Sequence, residues 1–166
     1  MIPKKQKSNV YTVYSKKTGL IEGNIKGDLF DSQWRSKNPD SYHPPCNYDE
    51  NNQGVIEGAI SSNSFYIDLS TQAPVLKSDM DVAVSVEPFN GRYPVAITDS
   101  ITISDLPIPC HMEIKALASL NNLEETMSSS VEDGSITLTF DTATTYIVTF
   151  SNPYYNSRGF TIGVTS

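Results

Sequence analysis

The feature that most constrains this chain is a period of two. Ile136, Leu138 and Phe140 alternate with Thr137 and Thr139, and Tyr146, Val148 and Phe150 repeat the same spacing after a six-residue interval. Successive side chains of a strand point to opposite faces, so such a pattern buries one face and leaves the other in water. Met112 and Ile114 alternate with Glu113 and Lys115, and Phe160-Thr161-Ile162-Gly163-Val164 closes the series. Helical spacing occurs at one place, where Leu29, Phe30 and Trp34 share a face and predict a single turn within 28–34. Pro39, Pro44 and Pro45 forbid a long element after it. The chain is therefore predicted to be all-β.

Its organisation divides into four stretches. Residues 1–9 form a basic N-terminal arm. Residues 10–69 form a β-hairpin module: Tyr11-Thr12-Val13-Tyr14 is β-branched and aromatic, Ser15–Gly19 is a polar turn, and Leu20–Ile25 resumes the strand pattern. Gly19-Leu20-Ile21-Glu22-Gly23 returns as Gly54-Val55-Ile56-Glu57-Gly58 and leads into Phe65-Tyr66-Ile67-Asp68-Leu69, so two similar strand starts are predicted in one module. Residues 70–94, with Pro74, Pro88 and Pro94, read as a connector holding one strand, Val82–Val86. Residues 95–166 carry about six short strands separated by turn signals such as Asp133-Gly134, the pattern of a small antiparallel sandwich.

Composition narrows the function classes. Charged residues make up only 19% of the 166, and aromatics reach 10%, which argues against disorder. No apolar run approaches the roughly 20 residues that span a bilayer, so no membrane association is predicted. Charge is uneven: residues 1–37 hold eight Lys/Arg and three acids, and residues 38–166 hold four and sixteen. Lys4, Lys5 and Lys7 make the arm a candidate docking element for an acidic partner. A nucleic-acid role is not expected, because the net field repels phosphate and the lysines are not interleaved with stacking aromatics.

Side chains able to carry chemistry are few. His43, Cys46, Cys110 and His111 are the tetrahedral zinc candidates, but adjacent Cys110 and His111 point to opposite faces of a strand. The preferred reading is two free cysteines, at least one packed as a small hydrophobe, with a Cys46–Cys110 disulfide as the alternative. Asp49-x-Asn51-x-Gln53-Gly54 opens like a calcium loop, yet Ile60 stands where a bidentate Glu belongs, so a polar turn is expected. No Gly-x-Ser-x-Gly or other nucleophile motif occurs, and neither catalysis nor a metal or cofactor is predicted. Candidate surface-recognition aromatics are Tyr154 and Tyr155 beside Pro153, and Phe89 and Tyr93 around Asn90-Gly91-Arg92.

Two resemblances go further. Asp141-Thr142-Ala143-Thr144-Thr145-Tyr146 resembles the tyrosine corner of immunoglobulin-like domains, with Val148 where a disulfide-bearing member has cysteine. Tyr11-Thr12-Val13-Tyr14-Ser15-Lys16-Lys17-Thr18-Gly19-Leu20-Ile21 resembles the hairpin of small tail or tail-fibre virion proteins of tailed bacteriophages. Gly54–Gly58, Phe65–Asp68, a proline-bearing connector and an immunoglobulin-like C-terminal domain follow in the same order. The lysine-rich head and the segment 39–45 depart from that pattern. The resemblance implies a non-enzymatic structural protein of the virion, assembled in the host cytoplasm. It would dock through its N-terminal module, homo-oligomerise within the assembly and contact other virion proteins. Alternatives are a decoration protein of the phage head, or an adhesion module for a host-surface glycan.

Overall fold

In the computed structural model, residues 10–26, 48–49, 51–117 and 126–166 are described; among them every regular element is a strand. The predicted helical turn at 28–34, the arm lysines, His43 and Cys46 lie outside the described residues. The chain divides into two compact units at Lys77/Ser78.

In the first unit, β1 (Val10–Ser15) is the centre of a three-stranded sheet between β2 (Ile21–Lys26) and β3 (Gln53–Glu57), antiparallel to both. The hairpin turn closes through the Gly19 amide donating to the Ser15 carbonyl at 2.8 Å. A second hairpin joins β4 (Phe65–Asp68) to β5 (Ala73–Leu76). The two hairpins meet backbone to backbone: the Ile67 amide donates to the Gly19 carbonyl at 2.8 Å. Gly19 has φ +74°, and a Cβ there would lie 2.0 Å from the Ile67 carbonyl oxygen, so only glycine fits. Gly54 is needed for a different reason, since its Cβ would lie 2.3 Å from the ring of Tyr14, which faces it across β1–β3. The glycines that begin the repeated pentapeptide thus do unlike work. Gly19 ends a turn, whereas Gly54 makes room for a buried ring inside a strand.

The middle of β1 is covered on both faces, with Thr12, Val13 and Tyr14 all buried. Burying the Thr12 hydroxyl demands partners. It accepts from the Ile60 amide at 2.9 Å, and its one proton is shared between the Gly58 carbonyl at 2.8 Å and Asn24 Oδ1 at 2.7 Å. This ties the exit of β3 across β1 to β2.

The second unit is a sandwich. β6 (Ser78–Asp79), β7 (Ala83–Val84) and β8 (Tyr93–Ala96) lead to β9 (Ser100–Ser104), β10 (Cys110–Ala116) and β11 (Thr126–Val131). Then come β12 (Ile136–Thr139), β13 (Thr145–Ser151), β14 (Tyr155–Asn156) and β15 (Arg158–Thr165). One sheet has the order β11-β10-β13-β15-β8, the other β12-β9-β7. β8 runs parallel to β15, and β14 runs parallel to β6; the other pairs are antiparallel. In chain order, β9 and β12 share one sheet while β10, β13 and β15 share the other, the two-sheet distribution of a β-sandwich. The inward alternate residues make one core: Ile101, Ile103 and Leu138 from the small sheet meet Met112, Val148, Phe150, Phe160 and Ile162 from the large one. At the corner before β13, the Tyr146 hydroxyl donates to the Thr142 carbonyl at 3.2 Å, the bond a tyrosine corner requires.

The stretch 70–94 is not a free connector. Residues 73–76 pair with β4, while Met80 is buried and Val82, Val84, Val86 and Tyr93 pack on the sandwich core. The first unit therefore runs past 69 to Lys77, and the sandwich starts at Ser78, not 95. Pro74 and Pro94 stand in β5 and β8, and among the described residues each of these strands is paired on one side only. Proline is tolerated on such edges because no ladder donor is needed outward.

Candidate functional site

Two loops of the second unit meet at one end of the sandwich. The β9–β10 loop leaves Ser104 through Asp105, whose φ is +60°, and the buried Leu106, whose amide donates to the Gly134 carbonyl at 2.9 Å. It then passes Pro107, Ile108 and Pro109, with a cis bond between the last two. The β13–β14 connection supplies Asn152, a buried polar side chain. Asn152 Nδ2 donates to the Pro109 carbonyl at 2.6 Å and to the Pro107 carbonyl at 3.4 Å, while its Oδ1 accepts from the Tyr154 amide at 2.8 Å. One side chain thus positions both loops. A buried amide with this many partners is costly to replace, because each carbonyl it leaves is desolvated without a bond.

Beside these loops lies a groove of about 550 Å³, walled by Ile108, Pro109, His111, Val131, Glu132 and Pro153. Ile108 is 63% exposed, an apolar side chain left at the rim. At its floor, Cys110 is a buried free thiol, and burial pushes it above the usual thiol range. Cys110 faces the core and His111 faces solvent, the opposition expected of neighbours on a strand. Among the described residues no three His, Cys, Asp or Glu side chains gather around one point. The arrangement suits an apolar side chain, received by Ile108, Val131 and Pro153 and framed by polar groups at the rim.

The aromatic candidates separate. Phe89 is 71% exposed. It stands before a tight turn whose Asn90 and Gly91 have φ +50° and +75°, closed by reciprocal bonds between Phe89 and Arg92 of 2.7 and 3.1 Å. Tyr93 instead packs edge-on to Phe160, with ring centroids 5.7 Å apart, and Tyr155 packs on the same core. Tyr154 is half-buried. Tyr93 and Tyr155 are therefore drawn into the sandwich wall, because strand-end aromatics gain more from covering the core than from standing in water.

In the first unit, Asp49 is engaged by its own turn. Its Oδ1 accepts from the Asn51 amide at 3.0 Å and its Oδ2 from Asn52 Nδ2 at 2.6 Å. These bonds hold the Asp49 carboxyl below its ordinary range. Gln53 Oε1 accepts from the Asp49 amide at 2.6 Å, and Gln53 Nε2 donates to the Glu22 carboxylate on β2. The stretch that opens like a calcium loop is a polar turn bound to itself.

Asn152, Ile108 and strand β11 escaped the sequence reading. The paired prolines around Ile108 and the Asn152-Pro153 step were the signals present, and they mark loops without saying that the loops meet. No known family model matches this chain, and no characterised protein and no solved structure matches it.

Proposed function

We propose that this chain is a non-enzymatic structural component of a tailed-bacteriophage virion. It is tail or tail-fibre associated, docks through its first unit and displays the sandwich. The ordered resemblance from Tyr11 to the tyrosine corner motivates the reading, and one structural observation carries it. Among the described residues of the first unit, Val13, Tyr14 and Ile67 are the only buried apolar side chains, and β2 and β3 each pair with a strand on one side only. So small a core among the described residues is a surface that a neighbour could cover with a gain in stability. Other virion subunits are such neighbours. Mass spectrometry of purified particles should find the protein, and its absence from them ends the reading. Immuno-gold label should fall on the tail; label on the capsid faces would make it a head decoration protein instead.

A further inference from the structure

At β11 the larger sheet of the sandwich presents an edge without charge, proline or bulge. β11 keeps unbroken register with β10 from Cys110↔Val131 to Lys115↔Thr126 and pairs with no other strand among the described residues. Residues 126–130 are exposed, Met127 at 69%. An edge strand presents alternate amides and carbonyls with no partner, and folded proteins blunt such edges with charge, proline or a bulge. Thr126-Met127-Ser128-Ser129-Ser130-Val131 has none of these. Its surroundings are acidic: Glu132 and Asp133 follow the strand, and Glu113 on β10 stands opposite Ser128. Where Val131 ends the edge, the groove under Ile108 begins.

These features select an occupant that is extended, basic along its length and apolar at one end. The acidic body of a second copy repels such an edge, but its segment 1–9, Met-Ile-Pro-Lys-Lys-Gln-Lys-Ser-Asn, has the complementary charge and order. We infer that β11 takes residues 1–9 of a neighbouring copy as an added antiparallel strand. With Asn9 opposite Thr126 and Lys4 opposite Val131, the six residues of β11 are matched. Lys7 falls opposite Ser128, on the face that carries Glu113, and Lys5 falls opposite Ser130. Met1, Ile2 and Pro3 then run past Val131 to the groove, where Ile2 meets Ile108 and Pro153. Pro3 has no amide to offer and sits where the ladder has ended. Main-chain bonds supply affinity in this mode of recognition and the terminal pocket supplies selection. The inference does not need the virion reading, because it concerns the purified chain alone.

The test is a charge exchange on the full-length protein, read by light scattering. Wild type should associate beyond a single 18.3 kDa chain and fall apart with added salt. Lys4→Glu/Lys5→Glu/Lys7→Glu should weaken association about tenfold or more, and Glu113→Lys/Glu132→Lys/Asp133→Lys should do the same. Each variant should keep its melting temperature within a few degrees. A 1:1 mixture of the two should associate again, a rescue that misfolding cannot produce. A monomeric wild type, lysine variants that associate as wild type does, or a mixture that stays monomeric would each overturn the inference. Should the acid-to-lysine variant fail to fold, the lysine variant alone still decides.

Discussion

The two units solve the same problem by opposite means. The sandwich is held by side chains: alternate residues of two sheets interdigitate from Met80 to Val164 around Phe150, Ile101 and Ile162. Among the described residues of the first unit the conspicuous ties are close backbone approaches and one buried hydroxyl, with Gly19 against Ile67, Gly54 under Tyr14, and Thr12 tied to three partners. A large apolar core tolerates surface change and punishes cavities. A unit built on close approach tolerates lost volume and punishes added atoms. The difference teaches that one all-β chain can carry two kinds of fragility, and each can be probed separately.

The largest effect is expected in the sandwich. Phe150 is fully buried and lies edge-on to Phe160, with ring centroids 5.9 Å apart. Phe150→Ala should cost about 3–5 kcal/mol, measured by urea unfolding. A loss below ~1 kcal/mol would mean that this core is not what holds the sheets together.

Glycine substitutions test the other half of the contrast. Gly19→Ala forces a side chain into positive φ and onto the Ile67 carbonyl, and should destabilise by about 2–4 kcal/mol. Gly54→Ala strikes the more movable Tyr14 ring and should cost about 1–3 kcal/mol. Gly23→Ala, with nothing within 4 Å of the added atom, should be neutral or mildly stabilising. Equal losses at all three positions would break the claim that close approach is what matters here.

Legibility in the sequence follows the same division. Alternation announced β12, β13 and β15 because burial on one face leaves a written trace, and Asp133-Gly134 marked the turn whose glycine takes φ +68°. The tyrosine corner was legible because its bond spans only four residues. β11 left no trace. An edge strand of Thr, Met and Ser exposed on both faces has no period to read. β5 and β8 were hidden by their own prolines. The candidate groove depends on Asn152 reaching carbonyls more than 40 residues away, and no local pattern encodes such a contact.

That contact yields the next prediction. Asn152→Ala should cost about 1–3 kcal/mol by leaving the Pro107 and Pro109 carbonyls unpaired, and should speed amide exchange at Leu106 and Tyr154. Unchanged exchange at those amides would show that the two loops are set independently. Tyr146→Phe removes one neutral bond from a partly exposed corner and should cost about 0.5–1.5 kcal/mol while leaving the ring on Phe140. A larger loss would assign the corner more than its hydrogen bond.

The smallest effect is in the first unit and depends on pH. At the β4–β5 turn the Asp68 carboxylate accepts from the Ser70 hydroxyl at 2.7 Å, the Ser70 amide at 2.8 Å and the Thr71 hydroxyl at 3.0 Å. In that order these partners hold its carboxyl below the ordinary value, and burial opposes them only weakly. A carboxyl depressed in the folded state stabilises it above the unfolded pKa, and that contribution disappears as pH falls through the folded pKa. The turn should therefore be firm at neutral pH and loosen only below the ordinary carboxylate range of about 3.9. A carboxyl-carbon NMR titration should place the Asp68 midpoint under that range, with the Ser70 amide resonance moving in step. Asp68→Asn should abolish the Ser70 titration and leave the sandwich resonances where they were. A midpoint at or above the ordinary value would mean that the turn is closed by its backbone alone, the Gln72 amide on the Asp68 carbonyl at 2.7 Å. Close backbone approach would then account for even this corner of the first unit without help from charge.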